Sequence, residues 1–177
     1  MLIGLLSDTH IHWPGQGFHP QIKEAFKGVD LILHAGDIWI PWVLDELESV
    51  APVLAARGDD DLDTDIGDDK RVAKRHNLSL DGLKIWVTHI KPRYGLINPK
   101  EQTYSSIFGR QEKEVEEPPP DVVVFGHTHY AEIEDYKGTL LVNPGSPTLP
   151  TYLPKLGTVV FLDISNGRAE ARIVQLE

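Results

Sequence analysis

At 177 residues, with 41% hydrophobic and 25% charged side chains, the chain has the size and composition of one globular domain, residues 1–177. Asp plus Glu outnumber Lys plus Arg by 27 to 17, a formal net charge of -10, which argues against a protein that grips nucleic acid or an anionic membrane through a broad basic face. No cysteine is present, so disulfides and thiolate chemistry are excluded, and any metal must take nitrogen and oxygen ligands.

Leu2 to Leu6 is a short apolar run ending in Ser7-Asp8, the pattern of a strand buried on both faces that delivers polar residues at its tip. Pro20 to Lys27 reads as a helix closed by Gly28, and Leu31 to Leu33 as the next buried strand, ending in His34-Ala35-Gly36-Asp37. Pro41 to Val50 has helical spacing, and Pro52 to Ala56 is a third apolar run, ending at Arg57-Gly58-Asp59. This β-α-β-α-β order implies a parallel sheet with ligands at the carboxyl ends of its strands. Asp59 to Asp69 holds seven carboxylates and no basic residue, which predicts an exposed loop. Val72 to Leu80 and Leu83 to Thr88 form a hairpin across Asp81-Gly82, the second arm ending at His89. A loop follows from Ile90, then a helix over Thr103 to Lys113, closed by Pro118-Pro119-Pro120. Asp121 to Phe125 is a strand running into Gly126-His127-Thr128-His129. Further strands are expected at Ala131 to Tyr136, Thr139 to Val142, Thr158 to Ile164 and Ala169 to Leu176, with turns at Lys137-Gly138 and Asn166-Gly167. No run approaches the ~18 apolar residues of a membrane span, and the start lacks signal-peptide character. A cytoplasmic protein is the expectation.

Taken singly, each polar cluster is an ordinary turn or cap. Together they form a pattern, because each apolar strand with a well-marked end terminates in Asp or His. Asp8, His10, Asp37, Asp59, His89, His127 and His129 are seven candidate ligands, too many for one tetrahedral zinc. With one carboxylate shared, they serve two divalent ions with four ligands each, as two-metal hydrolysis requires.

In these residues the chain resembles the calcineurin-like metallophosphoesterases, and among them the small bacterial and archaeal phosphodiesterases. The resemblance rests on Asp8-Thr9-His10, Gly36-Asp37, Arg57-Gly58-Asp59, Thr88-His89, Gly126-His127-Thr128-His129 and Asn143-Pro144-Gly145-Ser146, in the family's order, over nearly the whole chain. It implies an α/β fold, a four-layer α-β-β-α sandwich of two mixed sheets flanked by helices. It also implies one ion on Asp8, His10, Asp37 and His129, and a second on Asp37, Asp59, His89 and His127, with Asp37 as the bridge. The activity implied is hydrolysis of small phosphodiesters by hydroxide generated between two divalent metal ions. Manganese is the preferred ion, with Fe, Ni, Zn or Co equally suited by ligand type.

Asp59 and Asp60 depart from the family, which has Asn and then His or Cys at these positions. With Asp59, three carboxylates and a hydroxide would balance the four charges of two divalent ions, favouring monoanionic diesters over dianionic monoesters. Asp60 and His10 are the candidates for handling the leaving-group proton. His12, Arg93 and Tyr94 are candidate substrate contacts, with Lys91 beside them, while Asn143 and Ser146 are expected to support the ligand loops. His34 and His76 read as structural. The rival reading is a weakly active or inactive protein that keeps the fold as an interaction platform, as the phosphoesterase-like subunit of the retromer complex does. A small substrate is the expected partner, without bulk nucleic acid or membrane; the oligomeric state is left open, a homo-oligomer included.

Overall fold

The computed structural model describes residues 1–16, 18–93 and 119–177. Two mixed sheets are stacked face to face. The first contains β1 (Leu2–Leu6), β2 (Leu31–His34), β3 (Val53–Ala56), β4 (Val72–Ala73), β10 (Thr158–Ser165) and β11 (Arg168–Gln175), in the order β11-β10-β1-β2-β3-β4. Strands β1 to β4 run parallel, and β10 pairs antiparallel with β1. The second contains β5 (Arg75–Leu80), β6 (Leu83–Thr88), β7 (Val122–Val124), β8 (Ala131–Tyr136) and β9 (Thr139–Pro144), in the order β5-β6-β7-β9-β8, with β6, β7 and β9 parallel. Parallel strands end on one side, so Asp8, Asp37 and Asp59 leave one edge of the first sheet, and His89 and His127 one edge of the second.

The apolar runs are explained by burial on both faces. On β1, Ile3 and Leu5 point between the sheets with Leu33, Ala56, Ile85, Val87, Val122, Val124 and Val142. Leu6 instead faces α1 (Pro20–Ala25) and α2 (Pro41–Glu48), which cover the outer side of the first sheet with Ile22, Val43, Leu44 and Leu47. Gly4 is set by the same packing, since a Cβ there would meet Phe26 Cδ1 at 2.5 Å. On the outer side of the second sheet, Val123, Phe125 and Leu141 are buried with Trp86 and Tyr136 against them. The expected helix over Thr103 to Lys113 lies outside the described residues. All three tight turns form as read, with Asp81-Gly82, Lys137-Gly138 and Asn166-Gly167 each at positive φ.

Two expectations are corrected. Val72 to Leu80 is not one hairpin arm: the chain leaves the first sheet after β4, passes Lys74, and enters the second as β5. His76 ties this crossing, its Nε2 lying 2.9 Å from the Ala55 carbonyl and 3.2 Å from that of Arg71. The acidic stretch is not simply an exposed loop either. It contains a short helix, α3 (Asp63–Ile66), whose Ile66 is buried in the core, while Asp61 is buried and Asp69 is paired with Arg71. Among the described residues, no helix is long and apolar enough to cross a membrane.

Candidate metal centre

The strand ends bring the seven candidate residues into two groups. Asp8, His10, Asp37 and His129 each offer a ligand atom within 4.8 Å of the others, and so do Asp59, His89 and His127. The first group is largely buried, whereas Asp59 and His127 in the second are about half exposed. Asp37 lies between them: its Oδ2 is 3.4 Å from His10 Nε2 and 3.3 Å from His89 Nε2. Five of the seven residues (Asp8, His10, Asp37, His127 and His129) have left-handed backbones, with φ between 45° and 73°. Non-glycine residues hold that conformation at a cost, and such positions cluster where geometry serves a site.

Hydrogen bonds hold the loops in place. Both Asp8 oxygens accept from the His127 N–H, at 3.0 and 3.1 Å, which fastens the first sheet to the second. Asn143 donates to Gly126 O and Thr128 Oγ1, and Ser146 Oγ donates to Asp8 O while accepting from Leu149 N–H. His34, fully buried, accepts from Gly36 N–H and faces Thr9 Oγ1. Burial pushes its pKa down to about 3, which keeps it neutral and structural, as its sequence context suggests.

The donor set suits a cation. Among the described residues, His89 Nε2 is the buried side-chain nitrogen without a hydrogen-bond partner. It lies 2.7 Å from Asp59 Oδ1, yet this oxygen and Asp37 Oδ2 are out of line for a hydrogen bond. Two carboxylate oxygens crowded on an imidazole nitrogen without a hydrogen bond to it are what a cation would reconcile. Electrostatics agree. Burial lowers the His89 pKa, but Asp37 and Asp8 more than offset that and bring it up to about 9. Burial raises Asp8 to about 6. Burial also opposes the charge of Asp37, but His89, the Asp60 N–H and His10 outweigh it and hold the carboxyl below its ordinary value. Without a cation, His89 is therefore protonated at pH 7, and a metal must displace that proton to reach Nε2. We expect uptake of Mn2+ at pH 7 to release about one proton per chain from His89, with affinity rising as pH rises towards 9. Calorimetric titrations in buffers of different ionisation enthalpy measure this directly.

The remaining candidates fall in different places. Asp60 is half exposed, with Oδ2 3.8 Å from His10 Nδ1. His12 is exposed and packs against Trp39, the ring centroids 3.8 Å apart and the planes tilted by 44°. Arg93 is exposed, and Tyr94 lies outside the described residues. Lys91 turns away to Glu132 and Glu134 on the edge strand β8, at 2.8 Å each.

Three residues at the site play parts that the sequence reading did not give them. Asp61 accepts from the backbone N–H groups of Asp37, Ile38, Trp39 and Gly58 at 2.7 to 3.0 Å, organising the loop that carries Asp37. A buried acceptor was not separable by composition from the six other carboxylates between Asp59 and Asp69. Trp39 Nε1–H donates to His10 Nδ1 at 3.0 Å. Tyr152 stacks on His129 with ring centroids 4.1 Å apart, and nothing in Pro150-Thr151-Tyr152 signals this.

An α/β scaffold that gathers imidazoles and carboxylates at the ends of two parallel strand sets has the layout of a metal-dependent hydrolase. The family model of the calcineurin-like phosphoesterase superfamily domain matches residues 1–167, and the chain belongs to that superfamily. It is 31% identical over 175 residues to a protein of Methanothermobacter thermautotrophicus named "probable metallophosphoesterase", covering 99% of this chain and 92% of that one. It is 27% identical over 191 residues to a phosphodiesterase of Methanocaldococcus jannaschii, across the whole of both. Among solved structures, an archaeal phosphodiesterase superposes with a TM-score of 0.68 at 25% identity, covering 98% of this chain and 100% of that one. Vps29 of Entamoeba histolytica, at 18% identity and 99% coverage of each chain, gives the same TM-score and shows the shared fold. The chain is thus a phosphoesterase by family, with two mixed sheets as the resemblance implies.

Proposed function

We propose that residues 1–177 form a single cytoplasmic metallophosphoesterase domain that hydrolyses phosphodiester bonds of small substrates with two divalent cations, manganese preferred. Asp8, His10, Asp37 and His129 would hold one cation, and Asp37, Asp59, His89 and His127 the other. The observation that carries this reading is the position of Asp37 Oδ2, one oxygen within 3.4 Å of an imidazole nitrogen from each group. When bound, the cations supply Lewis-acid polarisation of the phosphoryl group and a nucleophile at neutral pH. The chain's own residues then position and exclude. Asp37 is fixed by its Oδ1 accepting from the Asp60 N–H at 3.1 Å, and His89 by donating Nδ1–H to Ala35 O at 2.8 Å. Half exposure of Asp59 and His127 leaves the second group open to an incoming phosphate. A cavity of 460 Å³ beside Asp59 and His89, lined also by Arg57, Lys74, Thr88 and Ile90, gives an ester arm room. A larger groove between α1 and α2, lined by Phe18, Trp42 and Val50, shares no residue with either group. His10 and the half-exposed Asp60, whose Oδ2 lies 3.8 Å from His10 Nδ1, are the groups proposed to handle the proton that a leaving alkoxide takes.

Diester preference follows from Asp59. Its carboxylate would bring the loaded site close to neutrality, weakening the pull on a dianionic monoester relative to a monoanionic diester. We expect Asp59→Asn to raise the monoester-to-diester ratio of kcat/KM about tenfold while loosening the metal. Steady-state assays on matched aryl esters, with metal titration alongside, check both halves. The proposal as a whole is tested by reconstituting the protein with Mn, Fe, Ni, Zn or Co and assaying an aryl phosphodiester, with His127→Ala as control. Turnover that depends on metal and on His127 is the expected result; none with any metal would leave the fold to an interaction role.

A further inference from the structure

Two histidines of the candidate groups are anchored so that Nε2 is the nitrogen left for a metal. His89 and His129 each donate Nδ1–H to a backbone carbonyl, Ala35 O and Leu149 O, both at 2.8 Å. A neutral imidazole anchored in this way keeps its lone pair on Nε2. His10 is anchored in the opposite sense. Trp39 Nε1–H, which can only donate, points at His10 Nδ1 from 3.0 Å. Nδ1 therefore holds the lone pair, and the neutral ring carries its hydrogen on Nε2, the nitrogen that faces Asp37 and His129. The 3.1 Å contact between His10 Nε2 and His129 Nε2 fits this tautomer, because His129 Nε2 can then only accept.

Trp39 is itself firmly placed. Its backbone N–H bonds Asp61 Oδ1 at 2.8 Å, its φ is 77°, and its ring packs at a tilt against His12. On the other side of His10 Nδ1 stands Asp60 Oδ2, at 3.8 Å beyond hydrogen-bond range and 54% exposed, so free to approach. The two neighbours make opposite demands on one nitrogen: Trp39 needs a lone pair there, and Asp60 needs a hydrogen.

We propose that Trp39 holds His10 in the tautomer that cannot ligate a cation, and that Asp60 accepts the Nδ1–H when His10 turns its Nε2 lone pair to the site. This rests on the metal-centre reading above and adds to it a gated ligand. In the switch one hydrogen leaves Nε2 for solvent and one arrives at Nδ1 from solvent, so the charge of the ring is unchanged; the Trp39 N–H is released to water. Both residues act through His10 and are positioning residues, and Asp60 gains this task beside its proposed proton handling.

The test uses 15N shifts of the His10 ring in the metal-free protein at pH 8, and calorimetric titration with Mn2+. Burial holds the His10 pKa below its ordinary value, so the ring is neutral there. Wild type should show Nε2–H. Trp39→Phe, which keeps an aromatic ring and removes the donor, should move the ring towards Nδ1–H and tighten one of two Mn2+ sites about tenfold. Asp60→Ala should loosen that same site about tenfold, the range for loss of an outer hydrogen-bond partner. Nδ1–H in metal-free wild type, or an unchanged affinity in Trp39→Phe, would overturn the gate; an unchanged affinity in Asp60→Ala would remove Asp60 from it. Absence of Mn2+ binding in every protein would instead overturn the metal centre, whereas the 15N pattern reports the tautomer independently of the metal.

Discussion

Asp37→Asn is expected to lower kcat/KM on an aryl phosphodiester by about 10³-fold or more and to take the bound metal from two ions per chain to one or fewer. The size of the effect follows from position. Asp37 is the carboxylate within reach of both His10 and His89, so a single amide weakens both groups where other substitutions weaken one. The fold should tolerate the change. Oδ1, which accepts from the Asp60 N–H, is retained as the amide oxygen, but the amide no longer offsets the buried charge of His89, so a modest loss of stability is expected. Metal analysis and a thermal melt on the same sample separate the two effects, with metal lost and melting of the metal-free protein lowered only modestly. A variant that keeps two ions and near-normal turnover would remove Asp37 from the bridging role.

Asp61→Ala should have the largest effect on stability, about 3–5 kcal/mol. Four backbone donors would lose their acceptor at once, and those of Asp37, Ile38 and Gly58 belong to buried residues. An unmet buried donor costs about 1–3 kcal/mol, and relaxation of the loop keeps the total below the sum. Asp61→Asn, with one acceptor oxygen left, should lose roughly half as much. Urea denaturation of the metal-free variants measures this, and their Mn2+ affinity should fall in the same order, because the loop that relaxes carries Asp37. A stable Asp61→Ala protein with normal metal affinity would contradict the organising role.

These two residues also mark where the sequence was legible. Asp37 could be found because a strand buried on both faces has to be apolar throughout, so the first carboxylate after it stands out. The same contrast locates Asp8, Asp59, His89, His127 and His129. The hairpins were legible at Asp81-Gly82, Lys137-Gly138 and Asn166-Gly167 because those pairs supply the positive φ that the turn needs. Asp61 was not, since it sits among carboxylates that do face water, and only the folded loop turns its side chain inward. The crossing at Lys74 was hidden because Val72 to Leu80 keeps strand-like patterning through the change of sheet. Trp39 and Tyr152 reach His10 and His129 from loops, where no periodicity fixes side-chain direction.

Each candidate group draws residues from both sheets. Asp8, His10 and Asp37 leave the first sheet and meet His129 from the second; Asp59 leaves the first and meets His89 and His127 from the second. A cation in either group would therefore be a clasp between two layers otherwise held by apolar packing and a few hydrogen bonds such as those between Asp8 and His127. A chain with one sheet formed and the other detached would present only part of each ligand set and bind weakly. Metal affinity then reports on the closure of the sandwich, and the same ions that equip the site for chemistry would tie the correctly stacked form together against opening along the seam between its sheets.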